Sequence, residues 1–138
     1  VAGIAAGRAD DIAGVAPGAS LIAVQVFSRL TGPDCEGAGA DPCSVAIGSD
    51  IIAALEWVYS QRSSYSIAAV NMSLGGARFD SYCDSDTTAA AEKAVIDNLR
   101  TVGTATVVAS GNESYADSIS FPACISSAIS VGATSSIA

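Results

Sequence analysis

The chain has 138 residues, with six Lys+Arg against fourteen Asp+Glu, four Cys and no His. Without His, no Ser-His-Asp or Cys-His constellation can be complete within it, and no His-containing zinc site can form. A net charge of −8 with no basic run has the wrong sign for nucleic acid, where affinity comes from neutralising phosphates, and no eighteen-residue apolar run free of Gly, Ser or charge offers a membrane span.

Half of the residues are hydrophobic but only 6% are aromatic, so one domain's core is expected, built from small side chains. The opening Val1-Ala2-Gly3-Ile4-Ala5-Ala6-Gly7 has neither an initiator Met nor a basic leader. It reads as an internal piece of a longer chain, with Val1–Ala6 the end of a helix. Leu21–Phe27 is the first of four short apolar runs without alternation; Ile67–Ser73, Ala105–Ser110 and Ala128–Thr134 are the others. Strands buried on both faces of a parallel sheet have this pattern. Ser28–Cys43, rich in Gly, Pro and Asp, reads as a surface insertion loop, with Cys35 and Cys43 available to close it. Val45–Ser60 follows as a helix with its apolar stripe at Ile47, Ile51, Leu55 and Val58 and Ser44 as its N-cap. The second helix, Thr87–Val102, places its stripe at Ala91, Val95, Leu99 and Val102. Asp84 or Asp86 caps it, Arg100 suits its last turn and Gly103 its C′ position. Strands alternating with helices give an α/β fold: a parallel β-sheet flanked by helices, joined by right-handed crossovers. The single domain spans 1–138. An even number of Cys without a C-x-x-C pair, in an acidic, Lys-poor chain, points to disulfides and secretion.

In parallel sheets ligands bind beyond the carboxyl ends of the strands. Leu74-Gly75-Gly76 follows one run and Gly111-Asn112-Glu113 another. Asn112 there could donate to a developing oxyanion, but on its spacing alone it reads as a residue that stabilises its own turn. Asp10-Asp11 reads as a solvated turn and Trp57 as a packing residue. There is no G-x-S-x-G elbow and no phosphate loop, and Gly37-Ala38-Gly39 lacks the strand–helix context of a dinucleotide fingerprint.

Taken together the segments resemble one family. Val1–Gly7 resembles the continuation of the H-G-T-H-V-A-G motif of subtilisin-like serine proteases (subtilases). Gly14–Ala19 resembles their G-V-A-P-x-A segment, Val70–Gly76 (VNMSLGG) their V-I-N-M-S-L-G-G, and Val107–Glu113 (VVASGNE) their A-A-G-N-E. Phe121–Cys124 and Ile129–Ala133 resemble the Y-P-A and I-x-V-G-A segments. The resemblance implies the central part of a three-layer α/β/α catalytic domain, a partial domain that begins just after the His motif and stops before the nucleophile motif.

It also implies roles. Asn112 is the oxyanion-hole Asn. Ser73, Leu74 and Gly75 pair with substrate backbone. Ala109, Ser110 and Gly111 wall the P1 pocket, Ser120 lies near its base, and Leu74 with Ile51 lines the P4 pocket. Glu113 sits at the P1 rim, where it can favour a basic residue. The disulfides it implies are Cys83–Cys124 and Cys35–Cys43. No cofactor or metal is expected in this chain, and Ca²⁺ in the full-length enzyme would use carbonyls of Ala123, Ile125 and Ala128. The expected function is a segment of a secreted subtilisin-like endopeptidase that acts on peptide or protein substrate. It is inactive without the remaining segments of the same catalytic domain, and binds neither nucleic acid nor membrane. The alternative is a non-catalytic subtilase-like binding or structural domain. The family strand that bears the catalytic Asp is missing between the strands matching Leu21–Phe27 and Ile67–Ser73. Either those strands close up, or their edges stay open and a homo-oligomer can form through them.

Overall fold

The computed structural model describes residues 1–36 and 39–134. Gly37 and Ala38 of the insertion, and 135–138 of the expected domain, lie outside the described residues. In chain order, α1 (Ala2–Ala6) leads into a hairpin of β1 (Arg8–Ala9) and β2 (Ile12–Ala13). Asp10 and Asp11 form its turn and are exposed, as a solvated turn requires. β3 (Phe27–Leu30) and β4 (Cys43–Ala46) follow, then α2 (Gly48–Ser60), β5 (Ala69–Met72), β6 (Arg78–Phe79), α3 (Thr87–Thr101), β7 (Ala105–Ala109), β8 (Ile119–Ser120) and β9 (Ile129–Val131).

An apolar run becomes a strand only where a neighbour takes its backbone N–H and C=O groups. Three of the expected runs meet that condition as the parallel sheet β5-β7-β9, with Asn71 opposite Val107 and Val108 opposite Ser130. This is the expected α/β architecture. The run Leu21–Phe27 differs. Only Phe27 enters a strand, and that strand pairs antiparallel with β4. Leu21–Val26 lies outside every ladder, with Leu21 55% and Val24 42% exposed. Among the described residues Leu21–Val26 makes no ladder with β5, so the two strands do not close up.

The insertion is more ordered than its composition indicates. A ladder from Phe27↔Ala46 to Leu30↔Cys43 frames it, and the Cys35–Cys43 disulfide closes it around a 3-10 turn at Gly32–Cys35. Its described Gly, Pro and Asp residues lie between the two strands, and four-residue strands are too short to show alternation against them. The ladder also claims Val45 and Ala46. Helix α2 therefore begins at Gly48, with Ile47 rather than Ser44 in the cap position.

Helix α3 packs against both α2 and β7. Ile51, Leu55 and Val58 are buried as their spacing predicts. On α3 the buried face is Ala89, Glu92, Val95, Ile96 and Leu99; Val95 and Leu99 belong to the expected stripe, whereas Ala91 is exposed and Val102 is 41% exposed. Both helices share one core cluster with Met72, Val108, Ala123, Cys124 and Ile125, so they cover one face of the sheet. Trp57 is outside it, 42% exposed. Asp86 is the α3 cap: its Oδ1 accepts from the Thr88 N–H at 2.8 Å and the Ala89 N–H at 3.3 Å. Gly103, at φ +81°, supplies the left-handed residue that ends the helix.

The second disulfide joins Cys83 to Cys124. Around it Cys83 N–H donates to the Cys124 carbonyl at 3.1 Å, and Asp84 accepts from the Ser126 N–H at 2.9 Å and its hydroxyl at 2.6 Å. The entry to α3 is thus fastened to the approach to β9. Much surface remains open: 9104 Å² is exposed, against about 6,600 Å² for a folded monomer of 13.6 kDa.

Two expectations follow. Replacing Cys83 and Cys124 together by Ser removes a closure over 41 residues, and should cost about 4 kcal/mol on the loop-entropy account, read from urea unfolding midpoints. Glu92 is 1% exposed, its Oε1 has no partner, and burial pushes its carboxyl from 4.5 up to about 7. As pH rises through that window the unfolded chain releases this proton before the folded one does, so stability falls from about pH 4.5 to about 7 and then levels. Glu92→Gln should flatten that fall and be the more stable form at pH 8, measured by urea unfolding at several pH values.

Candidate functional site

Parallel strands finish on the same side of their sheet, and a crevice opens where neighbouring chains part. Met72 opposite Val108 is the last pair of the β5–β7 ladder. Beyond it the chain runs out as Ser73-Leu74-Gly75 on one side and Ser110-Gly111-Asn112 on the other. The strand β8 occupies the space between them. Ser120 N–H donates to the Ser110 carbonyl at 2.9 Å, while Ser120 pairs with Arg78 of β6 on its other side. Phe121 N–H donates to the Ala77 carbonyl at 2.7 Å, and Gly76 N–H to the Phe121 carbonyl at 2.9 Å.

Ser120 is 1% exposed and forms the floor of this groove. Both walls come so close to it that side chains would interfere. A Cβ on Gly75 would lie 3.3 Å from Ser120 Cβ. One on Gly111 would collide with the Ser120 hydroxyl and lie 2.8 Å from Glu113 Oε2, and Gly111 also has φ +119°, a backbone conformation that only Gly adopts readily.

Glu113 turns back onto this floor. Its Oε2 accepts from the Asn112 N–H at 2.9 Å and from the Ser120 hydroxyl at 3.1 Å. The Asn112 N–H foremost, then its own N–H and the Ser120 hydroxyl, hold the carboxyl below the usual range, so it stays ionised. Asn112 is exposed. Among the described residues its side-chain amide has no hydrogen-bond partner; the Glu113 carboxylate, rather than that amide, braces the turn. The loop beyond is clamped by Arg78, which donates through Nε to the Ser118 hydroxyl at 2.7 Å, pairs with Asp117 at 3.0 Å and stacks 5.0 Å from the Tyr115 ring centroid.

The structure therefore brings Gly75, Ser110, Gly111, Asn112, Glu113 and Ser120 together. Ala109 ends β7, half-buried, and Ser73 is exposed, its hydroxyl accepting from the Asn71 amide at 3.0 Å. Leu74 packs against the core cluster of which Ile51 is a buried member. Sequence reasoning placed Glu113 at the rim and passed over Arg78; partners 39 and 40 residues away leave no local signal. It also passed over Glu92, although i, i+4 spacing to Ile96 marks the same face. In the expected cation position, Ala123 and Ile125 carbonyls already accept from the Ser130 hydroxyl at 2.5 Å and the Ala128 N–H at 3.0 Å. Among the described residues no three His, Cys, Asp or Glu side chains gather as a metal cluster.

A family model described as the subtilase family matches residues 1–137. The extracellular serine proteinase of Thermus sp. (strain Rt41A) is 35% identical over 123 residues, which is 89% of this chain and 24% of that protein. The chain thus spans about a quarter of that relative's length.

The tight contact at Gly111 is open to test. Gly111→Ala combines an unfavourable φ with a collision at Ser120, and should lower stability by about 1–3 kcal/mol in denaturant unfolding. Adding Ser120→Ala removes the hydroxyl and should restore part of the loss; a full loss in the double variant would place the strain elsewhere.

Proposed function

The chain belongs to the subtilase family, and on that premise we propose that it is a segment of a secreted subtilisin-like serine endopeptidase, which hydrolyses peptide bonds by acyl transfer. The observation that carries this reading is the unpartnered amide of Asn112 at the lip of a groove formed by two parallel strand ends. A donor at that place, which no described residue satisfies, suits an oxygen that gains charge in the transition state. The extended Ser73-Leu74-Gly75 suits a substrate strand added beside it, with main-chain bonds giving affinity and the Ser120 groove taking a side chain. Ala109, Ser110 and Gly111 form the facing wall.

The nucleophile, the general base and the Asp that orients it would come from the remaining segments of the same catalytic domain. The open edges of β5 and β9 and the excess exposed surface support that reading, since a catalytic domain must cover them; in the isolated chain a second copy would be the substitute. Secretion is supported by two disulfides and by the extracellular relative. Among the described residues no helix is long and apolar enough to cross a membrane.

The decisive comparison is between the chain alone and the complete protein. The isolated chain should show no peptidase turnover. The complete protein should hydrolyse peptides, and Asn112→Ala in it should lower kcat by about 100- to 1,000-fold, the range seen when this same donor is removed from subtilisin, with a smaller change in KM. Turnover by the isolated chain, or full kcat in Asn112→Ala, would refute the assignment.

A further inference from the structure

The loop that follows Asn112 holds a conformation its own sequence disfavours. Ser114 has φ 56°. Among the described residues it is the only non-glycine in the left-handed region, which costs a serine free energy and persists only where the surroundings impose it. Two anchors flank it. Before it, the Glu113 carboxylate accepts from the Asn112 N–H and the Ser120 hydroxyl. After it, each side-chain hydrogen bond that the described residues 114–118 make with another element ends on Arg78. Its Nε donates to the Ser118 hydroxyl at 2.7 Å, its Nη2 donates to Asp117 Oδ1 at 3.0 Å, and its guanidinium lies 5.0 Å from the Tyr115 ring centroid. Arg78 also pairs with Ser120 in the β6–β8 ladder. One residue thus fastens the far end of the loop to the strand that forms the groove floor.

We propose that Arg78 is a positioning residue for Asn112: by holding residues 115–118 it keeps Ser114 left-handed, and so keeps the turn that presents the Asn112 amide in one place. This rests on the reading of Asn112 as the oxyanion donor. Arg78 acts through the loop and touches no reacting atom. Its ion pair with Asp117 is exposed, with side chains 51% and 76% accessible, so charge attraction alone contributes little. The planar fork, which takes two acceptors and an aromatic face at once, fixes geometry in a way that an ammonium cannot copy. Without it Ser114 relaxes toward negative φ, a backbone rotation two residues from the Asn112 side chain.

The test uses the complete protein that carries this segment. Arg78→Ala should lower kcat about tenfold and leave KM within about twofold. Arg78→Lys, which keeps the charge and loses the fork, should lose nearly as much. Asp117→Asn combined with Ser118→Ala removes the acceptors instead and should act alike, which guards against a folding defect peculiar to the Arg78 variants. Ser114→Gly alone should keep the parent kcat, because Gly adopts positive φ freely. Added to Arg78→Ala it should return most of the lost kcat, a rescue that a merely structural Arg78 would not show. Hydrogen exchange of residues 111–118, followed by mass spectrometry, provides a readout without catalysis. Arg78→Ala should speed it about tenfold over the parent, and by much less when both proteins carry Ser114→Gly. Full kcat in Arg78→Ala, a loss carried by KM alone, or a loss that Ser114→Gly does not return would overturn the proposal. A parent protein that hydrolyses no peptide, with exchange following Arg78 and Ser114 as stated, would instead overturn the peptidase reading and leave the loop clamp standing.

Discussion

The geometry depends on β7 being hydrogen-bonded on both edges. It is the middle strand of three, parallel to β5 and to β9, so its carboxyl end is held in place from two sides. The turn that leaves it cannot drift: Ser110 donates to Val131 and accepts from Ser120 through its own backbone. Everything that touches the groove is referenced to that turn. Asn112 projects from it, Gly111 makes room within it, and Glu113 folds back over it. If β7 were an edge strand, the same residues would sit on a loop with one free side.

The second support is farther along the chain. The Cys83–Cys124 disulfide and the bonds from Ser126 to Asp84 pin the segment just after the groove floor to the entry of α3. That helix lies on β7 and on α2, so floor, sheet and helical layer form one connected unit although their residues span more than half the chain. Against this stands Glu92, a carboxyl placed in the middle of the packing face with one oxygen unpaired. It works against stability whenever it is ionised, and nothing in the groove uses it.

How much of this the sequence carried depended on the range of each interaction. Features set by a few neighbouring residues were legible: the Ile51, Leu55, Val58 stripe, the Asp86 cap, Gly103 at the end of α3, and the strand end ahead of Asn112. Features set by a distant partner were not. Leu21–Val26 has the composition of a strand, yet among the described residues no ladder includes it. Ser28–Cys43 has the composition of a loop, yet the short strands at its two ends pair with each other. The face that α3 buries keeps Val95 and Leu99 of the expected stripe but takes in Ala89, Glu92 and Ile96 rather than Ala91 and Val102, because the side it presents depends on α2 and β7. The disulfide partners came from family resemblance, since four Cys alone allow three pairings.

Glu113 shows why the groove has to be read as a unit. One carboxylate oxygen accepts from the Asn112 backbone and from the floor hydroxyl, so the group that sets the charge of the groove also sets the turn that presents the Asn112 amide. The charge on the groove and the shape of its turn are thus coupled through a single side chain. A shorter side chain at this position would remove the charge and the brace together. Gln removes only the charge, and this difference separates a residue that selects substrate from one that merely orders a loop.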